Sequence, residues 1–91
     1  MAADPGQVTV EFYGIPRQRA GRAELAVQAG SVGELLSAVE QVCPALQGLV
    51  QDGRLARQYR LSINGERFVE QIQEPIQAGT RLVLLSADVG G

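Results

Sequence analysis

Apolar and polar residues alternate near the start of the chain, beginning at Val8. One set is Val8, Val10 and Phe12, and the other is Thr9, Glu11 and Tyr13. This period of two is typical of a strand that buries one face. Gly14 and Pro16 interrupt the alternation, so residues 16–21 are predicted to form a loop.

A second alternation follows this loop and predicts a second strand. Ala23, Leu25 and Val27 are expected to point inward, and Glu24 and Ala26 outward. Because only a short segment separates the two strands, the simplest pairing is an antiparallel hairpin.

A helix is predicted to begin at Ser31. Residues 31–34, Ser-Val-Gly-Glu, match a capping box, in which the Ser hydroxyl and the Glu carboxylate accept hydrogen bonds from free backbone amides. At about 100° per residue, one narrow face then carries Val32, Leu35, Leu36, Val39 and Cys43. Pro44 either ends this helix or starts a second short turn.

Three more strands are predicted in the second half of the chain. Tyr59, Leu61 and Ile63 alternate with polar residues, and Asn64-Gly65 is a strong hairpin signal because both residues tolerate positive φ. Residues 66–69 are the predicted return strand, residues 72–76 a crossing segment and residues 81–85 an apolar strand. Residues 52–53 are predicted as a loop, whereas residues 54–57 are ambiguous.

This order of elements predicts an α+β fold of the ubiquitin-like β-grasp type. One main helix packs on a mixed sheet of roughly four to five strands, with the last strand parallel to the first and beside it. The expected division is a flexible lead at residues 1–7, a domain at residues 8–85 and a flexible tail at residues 86–91, which ends in Gly-Gly.

Composition restricts the chemistry that the chain performs by itself. The 91 residues suffice for one domain, with a net charge of -2 that argues against nucleic-acid binding. All basic residues are Arg, so neither a His general base nor a Lys nucleophile is present. The lone Cys43 lies on the apolar helix face, where a small buried hydrophobe is the favoured interpretation over a reactive thiol.

The sequence also predicts where the protein acts. No apolar run approaches the roughly 18–20 residues that a membrane span needs. The first six residues lack the charged start and apolar stretch of a signal peptide. We therefore expect a cytoplasmic protein that does not engage a membrane.

With these elements in place, the chain resembles the β-grasp sulfur carriers, the MoaD/ThiS family, from about Val8 to Gly91. The resemblance rests on residues 31–36 (SVGELL), residues 59–66 (YRLSINGE) and the ending at residues 82–91. The length and the turn after Pro44 are closer to the molybdopterin synthase small subunit than to ThiS. That subtype often has prolines before its terminal glycines, whereas this chain has Ser86-Ala-Asp-Val89 there. This departure weakens the assignment to molybdenum cofactor biosynthesis but not the assignment to sulfur carriage.

The resemblance implies that the working group is the carboxylate of Gly91. A ubiquitin-activating-type enzyme would adenylate it with ATP, and a persulfide would convert it to a thiocarboxylate. A sulfur-accepting synthase, such as the large subunit of a molybdopterin synthase, would then take the sulfur. No cofactor, metal or catalytic side chain is implied in the chain itself.

The tail suits that role on physical grounds. A carboxylate is unreactive until it becomes a mixed anhydride, which calls for ATP and a separate enzyme. Asp88 and Val89 lead to Gly90 and Gly91, and Gly alone combines a slim backbone with free φ. Six extended residues span roughly 20 Å, enough to enter a narrow channel.

A docking surface is predicted on the open face of the sheet. If Leu82 and Leu84 point to the core, the partner-binding residues on the other face are Val83, Leu85, Tyr13 and Ser62. Apolar residues near a functional tail favour docking, and ordinary strand propensity is the alternative. The sequence also has two arginine clusters, Arg54/Arg57/Arg60 and Arg17/Arg19/Arg22. Each could contact an acidic partner, but a solvated surface is the favoured interpretation for both.

Three functions remain open. The first is a sulfur carrier for biosynthesis; the second is a ubiquitin-like modifier that joins Gly91 to lysines of targets. The third is an interaction module without terminal chemistry. An enzyme acting alone is the weakest hypothesis, because no carboxylates share a clear site.

Overall fold

A computed structural model describes residues 6–87. The elements are β1 (Gln7–Phe12), α1 (Ile15–Ala20), β2 (Glu24–Gln28), α2 (Val32–Val42), a 3₁₀ turn (Pro44–Leu46), β3 (Val50–Gln51), β4 (Arg54–Leu55), β5 (Tyr59–Ile63), β6 (Arg67–Val69) and β7 (Arg81–Ser86). The first five residues of the predicted lead (residues 1–7) and the predicted tail residues Asp88, Val89, Gly90 and Gly91 lie outside the described part.

The main sheet has five strands in the order β2-β1-β7-β5-β6. The last strand, β7, lies in the middle, parallel to β1 and antiparallel to β5, with Val10 opposite Leu82 and Leu61 opposite Leu84. β1 and β2 form the predicted antiparallel hairpin. The α+β, ubiquitin-like β-grasp fold is therefore confirmed, with α2 as the main helix.

Helix α2 packs its apolar face on the sheet, as its periodicity predicts. Val32, Leu35, Leu36 and Val39 are fully buried with the inward residues of β1 and β7. At its start the Ser31 Oγ accepts the Glu34 N–H (3.2 Å), and the Glu34 Oε1 accepts the Gly30 N–H (2.7 Å). Both bonds of a capping box are thus present, but the Glu34 carboxylate accepts from the Gly30 N–H where the standard motif uses the N–H of the capping Ser31.

The predicted loop at residues 16–21 is wrong, because the chain forms the short helix α1 there. Pro16 lies in the first turn, where its missing N–H costs nothing and its fixed φ suits a helix. Gly14 (φ 65°) and Gly21 (φ 72°) turn the chain into and out of the helix with positive φ. Ala23, predicted to point inward, is exposed and precedes β2.

The ambiguous segment at residues 54–57 contains half of a small second hairpin. β4 pairs with β3 through Val50 opposite Leu55 and Gln51 opposite Arg54. Asp52 and Gly53 form the turn, with φ values of 55° and 76°. The Leu55 N–H also donates to the Glu70 carbonyl (3.1 Å), which joins this hairpin to the segment after β6.

Candidate functional site

The root of the predicted tail lies at the end of the central strand β7. Ser86 pairs with Tyr59 of β5, and the Ala87 N–H donates to the Gln58 carbonyl (2.8 Å). The chain is therefore held by the sheet up to its last described residue. Gly91, predicted to carry the acyl group, lies four residues further along the sequence, outside the described part.

An interaction that the sequence did not indicate braces this root. The Arg19 Nη1 of α1 donates to the Tyr59 Oη at 2.9 Å in a partly buried position. Arg19 was expected on the surface and Tyr59 in a strand, and 40 residues separate them along the chain. No local sequence pattern reports a contact over that separation, so only the packing of α1 beside β7 brings it about.

Most of the predicted docking residues lie on the open face of the sheet, near the root of the tail. Val83 and Leu85 are half-buried on the outward side of β7, while Leu82 and Leu84 are fully buried. The Tyr13 N–H donates to the Leu84 carbonyl (3.0 Å), and the Tyr13 side chain is 52% exposed. These positions share one face and one end of the sheet.

Ser62 differs from this expectation, because it is only 8% exposed. In the sheet it stands between Phe68 of β6 and Val83 of β7, and these larger neighbours leave little of it accessible. Phe68, which the sequence did not single out, is 56% exposed. The Arg60 guanidinium lies 5.4 Å from the centre of its ring, within cation–π range.

A polar network adjoins this patch on the same face. Arg81 on β7 forms ion pairs with Glu11 of β1 and Glu24 of β2. The hydrogen bond from Arg81 holds the pKa of Glu11 below its usual value, and that bond raises the pKa of Arg81. The network reaches the apolar patch, because Glu11 lies opposite Val83 in the sheet and accepts a hydrogen bond from the Tyr13 hydroxyl (3.2 Å).

The described residues offer little reactive chemistry. Cys43 is 3% exposed in the core, which agrees with a structural role. Within residues 6–87 no three His, Cys, Asp or Glu side chains are close enough to hold a metal ion together. In the same range no helix has the length and apolar character needed to cross a membrane.

The fold and the position of the tail root define a protein of the ubiquitin-like β-grasp class. Among solved structures, small archaeal modifier protein 1 (SAMP1) from Haloferax volcanii is similar, with a TM-score of 0.80 and 26% identity over 94% of this chain and 100% of that one. A chain of the Amycolatopsis orientalis BexX/CysO complex has a TM-score of 0.78 and 25% identity over 92% of this chain and 99% of that one.

A further neighbour shares the fold at lower identity. The putative molybdopterin converting factor subunit 1 from Pyrococcus furiosus has a TM-score of 0.73 and 19% identity, over 88% of this chain and 95% of that one. These neighbours confirm the resemblance to MoaD/ThiS-like sulfur carriers that the sequence indicated. No protein-family model and no curated protein matches the sequence.

Proposed function

We propose that this protein is a ubiquitin-like sulfur carrier whose Gly91 carboxylate is adenylated and converted to a thiocarboxylate. The observation that carries the proposal is a sequence ending in Gly90-Gly91 beyond the central strand of a fold similar to SAMP1 and CysO. The sheet holds the chain up to Ala87. A rigid body with a short Gly-ended tail can present one acyl group to two enzymes in turn.

The chemistry is carried by partner enzymes rather than by side chains of this protein. A carboxylate oxygen of Gly91 attacks the α-phosphate of ATP, and pyrophosphate leaves. The outer sulfur of a persulfide then attacks the acyl carbon, and AMP leaves. A second thiol cleaves the resulting acyl disulfide, which leaves the thiocarboxylate on Gly91 and a disulfide between the other two sulfurs.

Two cytoplasmic partners follow from this chemistry: an adenylating enzyme of the ubiquitin-activating type and a synthase that accepts the sulfur. In the Amycolatopsis structure CysO is in complex with BexX, which supports the binding of such a carrier to a partner protein. The Pyrococcus neighbour supports a molybdopterin-synthase-like acceptor. In our proposal Val83, Leu85 and Tyr13 contact the partner, while the nearly buried Ser62 lies beside Val83 within the patch.

Intact-mass spectrometry tests the proposal. The chain is incubated with ATP, its adenylating enzyme and a persulfide donor, and the expected product is heavier by the difference between sulfur and oxygen. A variant lacking Gly91 should gain nothing, whereas a variant lacking Ala2, matched as a one-residue deletion, should react like the wild type. An unchanged mass for the wild type with an enzyme that adenylates similar carriers would refute the carrier function.

A second candidate function is a protein modifier, and the similarity to a small archaeal modifier protein favours it specifically. The same adenylated Gly91 would be transferred to lysines of target proteins. The chain has no Lys, so polymers built on its own lysines are excluded. Enrichment of the tagged chain from cells and trypsin digestion, followed by a search for lysines that carry the remnant of residues 82–91 left by cleavage after Arg81, distinguishes the two functions. The absence of such lysines would leave sulfur carriage alone.

A further inference from the structure

A groove of about 300 Å³ lies directly beside the tail root. Its rim carries Arg54, Arg57 and Arg60, and we call it the arginine groove. Its apolar lining includes Leu61 and Val69, and Ala87 lies in its wall. The groove therefore adjoins the point at which the chain leaves the sheet.

The charge of this groove is poorly balanced by the protein itself. Among the residues that the structure describes, Glu70 is the one acidic residue in its lining. The Glu70 carboxylate lies 3.9 Å from the Arg54 guanidinium. Within residues 6–87 neither Arg57 nor Arg60 forms an ion pair. Since the chain as a whole carries a net charge of -2, this cationic patch stands out from an otherwise acidic protein.

The length of the tail determines what must lie over the groove. Gly91 follows Ala87 by four residues, and four extended residues reach at most about 14 Å. Any enzyme that binds Gly91 in its active site must therefore bring its surface close to Ala87. A basic or apolar surface at this place would leave arginines desolvated without a partner, which costs several kcal/mol per ion by rough estimate.

We propose that the arginine groove binds an acidic segment of the adenylating enzyme, with Asp or Glu side chains facing Arg54, Arg57 and Arg60. This inference rests on the proposed function and identifies the chemistry of the partner surface. Planar guanidinium groups bind carboxylates in pairs of hydrogen bonds. The groove thereby orients the body of the carrier while its tail enters the active site, and it speeds the encounter through electrostatic attraction.

The kinetic test uses two variants of equal net charge. Arg54→Gln/Arg57→Gln removes two positive charges from the groove, and Gln41→Glu/Gln73→Glu adds two negative charges at exposed positions outside it. The rate of ATP–pyrophosphate exchange by the adenylating enzyme is measured against carrier concentration. We expect the KM for the groove variant to rise about tenfold at low ionic strength and the difference to shrink in 0.5 M NaCl, since salt screens charges.

The outcomes separate this inference from the function on which it rests. If wild-type carrier supports exchange and both variants have the same KM, the acidic-segment proposal is overturned while the carrier function stands. If wild-type carrier supports no exchange, both proposals fail. Melting temperatures of the two variants within a few degrees of the wild type show that a KM difference does not arise from unfolding.

A test without the enzyme uses hexaglutamate as the probe in an NMR titration of the isotope-labelled chain. We expect shifts of the Arg57, Arg60 and Ala87 amides at low salt, no shift with hexalysine, and none in the Arg54→Gln/Arg57→Gln variant. An oligothymidylate that shifts these amides more strongly than hexaglutamate would assign the groove to nucleic acid and overturn the proposal.

Discussion

The two faces of the central strand β7 differ in what they contribute. Leu82 and Leu84 point to α2 and are fully buried, whereas Val83 and Leu85 point the other way and remain partly exposed. The first pair belongs to a continuous apolar core. The second pair lies beside Tyr13 and the arginine groove, at the root of the tail. Alternate residues of one strand thus serve stability on one side and, in our proposal, contact with partners on the other.

The two faces therefore have different physical requirements. On the helix side, buried and closely packed side chains stabilise the fold, and a cavity among them lowers the free energy of unfolding. The open side leaves apolar and charged groups accessible, and in our proposal a partner covers them. Substitutions on the first side should therefore change the free energy of unfolding, and those on the second should change partner affinity.

The largest expected effect is on the helix side. Leu36 of α2 is fully buried, so Leu36→Ala should lower the free energy of unfolding by about 2–5 kcal/mol through lost burial and the cavity left behind. Urea denaturation measures this change. The thiocarboxylate yield at a temperature where the variant is folded should equal that of the wild type. A loss below 1 kcal/mol would mean that the two faces are not separated in this way.

A smaller effect is expected on the open side. Leu85→Asp should raise the KM of the carrier for its adenylating enzyme about tenfold, which corresponds to about 1.4 kcal/mol, because a charge replaces an apolar contact. The matched control is Ala26→Asp, which places the same charge at an exposed position on β2, the edge strand of the sheet. Equal KM values for the two variants would remove the patch from the docking surface.

The smallest effect is expected at the ion pair between Arg81 and Glu11 on the open face. The hydrogen bond from Arg81 lowers the pKa of Glu11 from 4.5 in the folded chain. A depressed carboxyl pKa stabilises the fold above the unfolded pKa, and this contribution is lost as the pH falls through the folded value. The melting temperature of the wild type should therefore fall more steeply below pH 4.5 than that of Glu11→Gln. Identical pH profiles would show that the pair contributes nothing.

Much of the fold could be predicted from local patterns. The alternation from Val8, the capping box at Ser31 and the Asn64-Gly65 turn each report the structure of a few neighbouring residues, and each is found as predicted. The short helix α1 was missed because Gly and Pro punctuate loops and helix ends alike. The hairpin of β3 and β4 was missed because its two-residue strands are too short to show a period.

At the candidate site, the sequence predicted which side chains of β7 point to the core and which point outward. It did not predict what surrounds the outward side chains. Ser62 alternates correctly along β5, yet its burial depends on the size of Phe68 and Val83 in the neighbouring strands. Arg54, Arg57 and Arg60 were visible as a spaced set. That they surround a groove beside Ala87 required the position of β5 between β6 and β7.

By itself the sequence determined the five strands of the main sheet, the helix α2 and most of the residues that face the core. These features depend on periodicity and on the conformational limits of single residues, which act over a few positions. Only the tertiary structure decided the contact of Arg19 with Tyr59, the burial of Ser62 and the groove at the tail root. Each of these depends on the register and packing of segments far apart in the chain, and no local pattern contains that information.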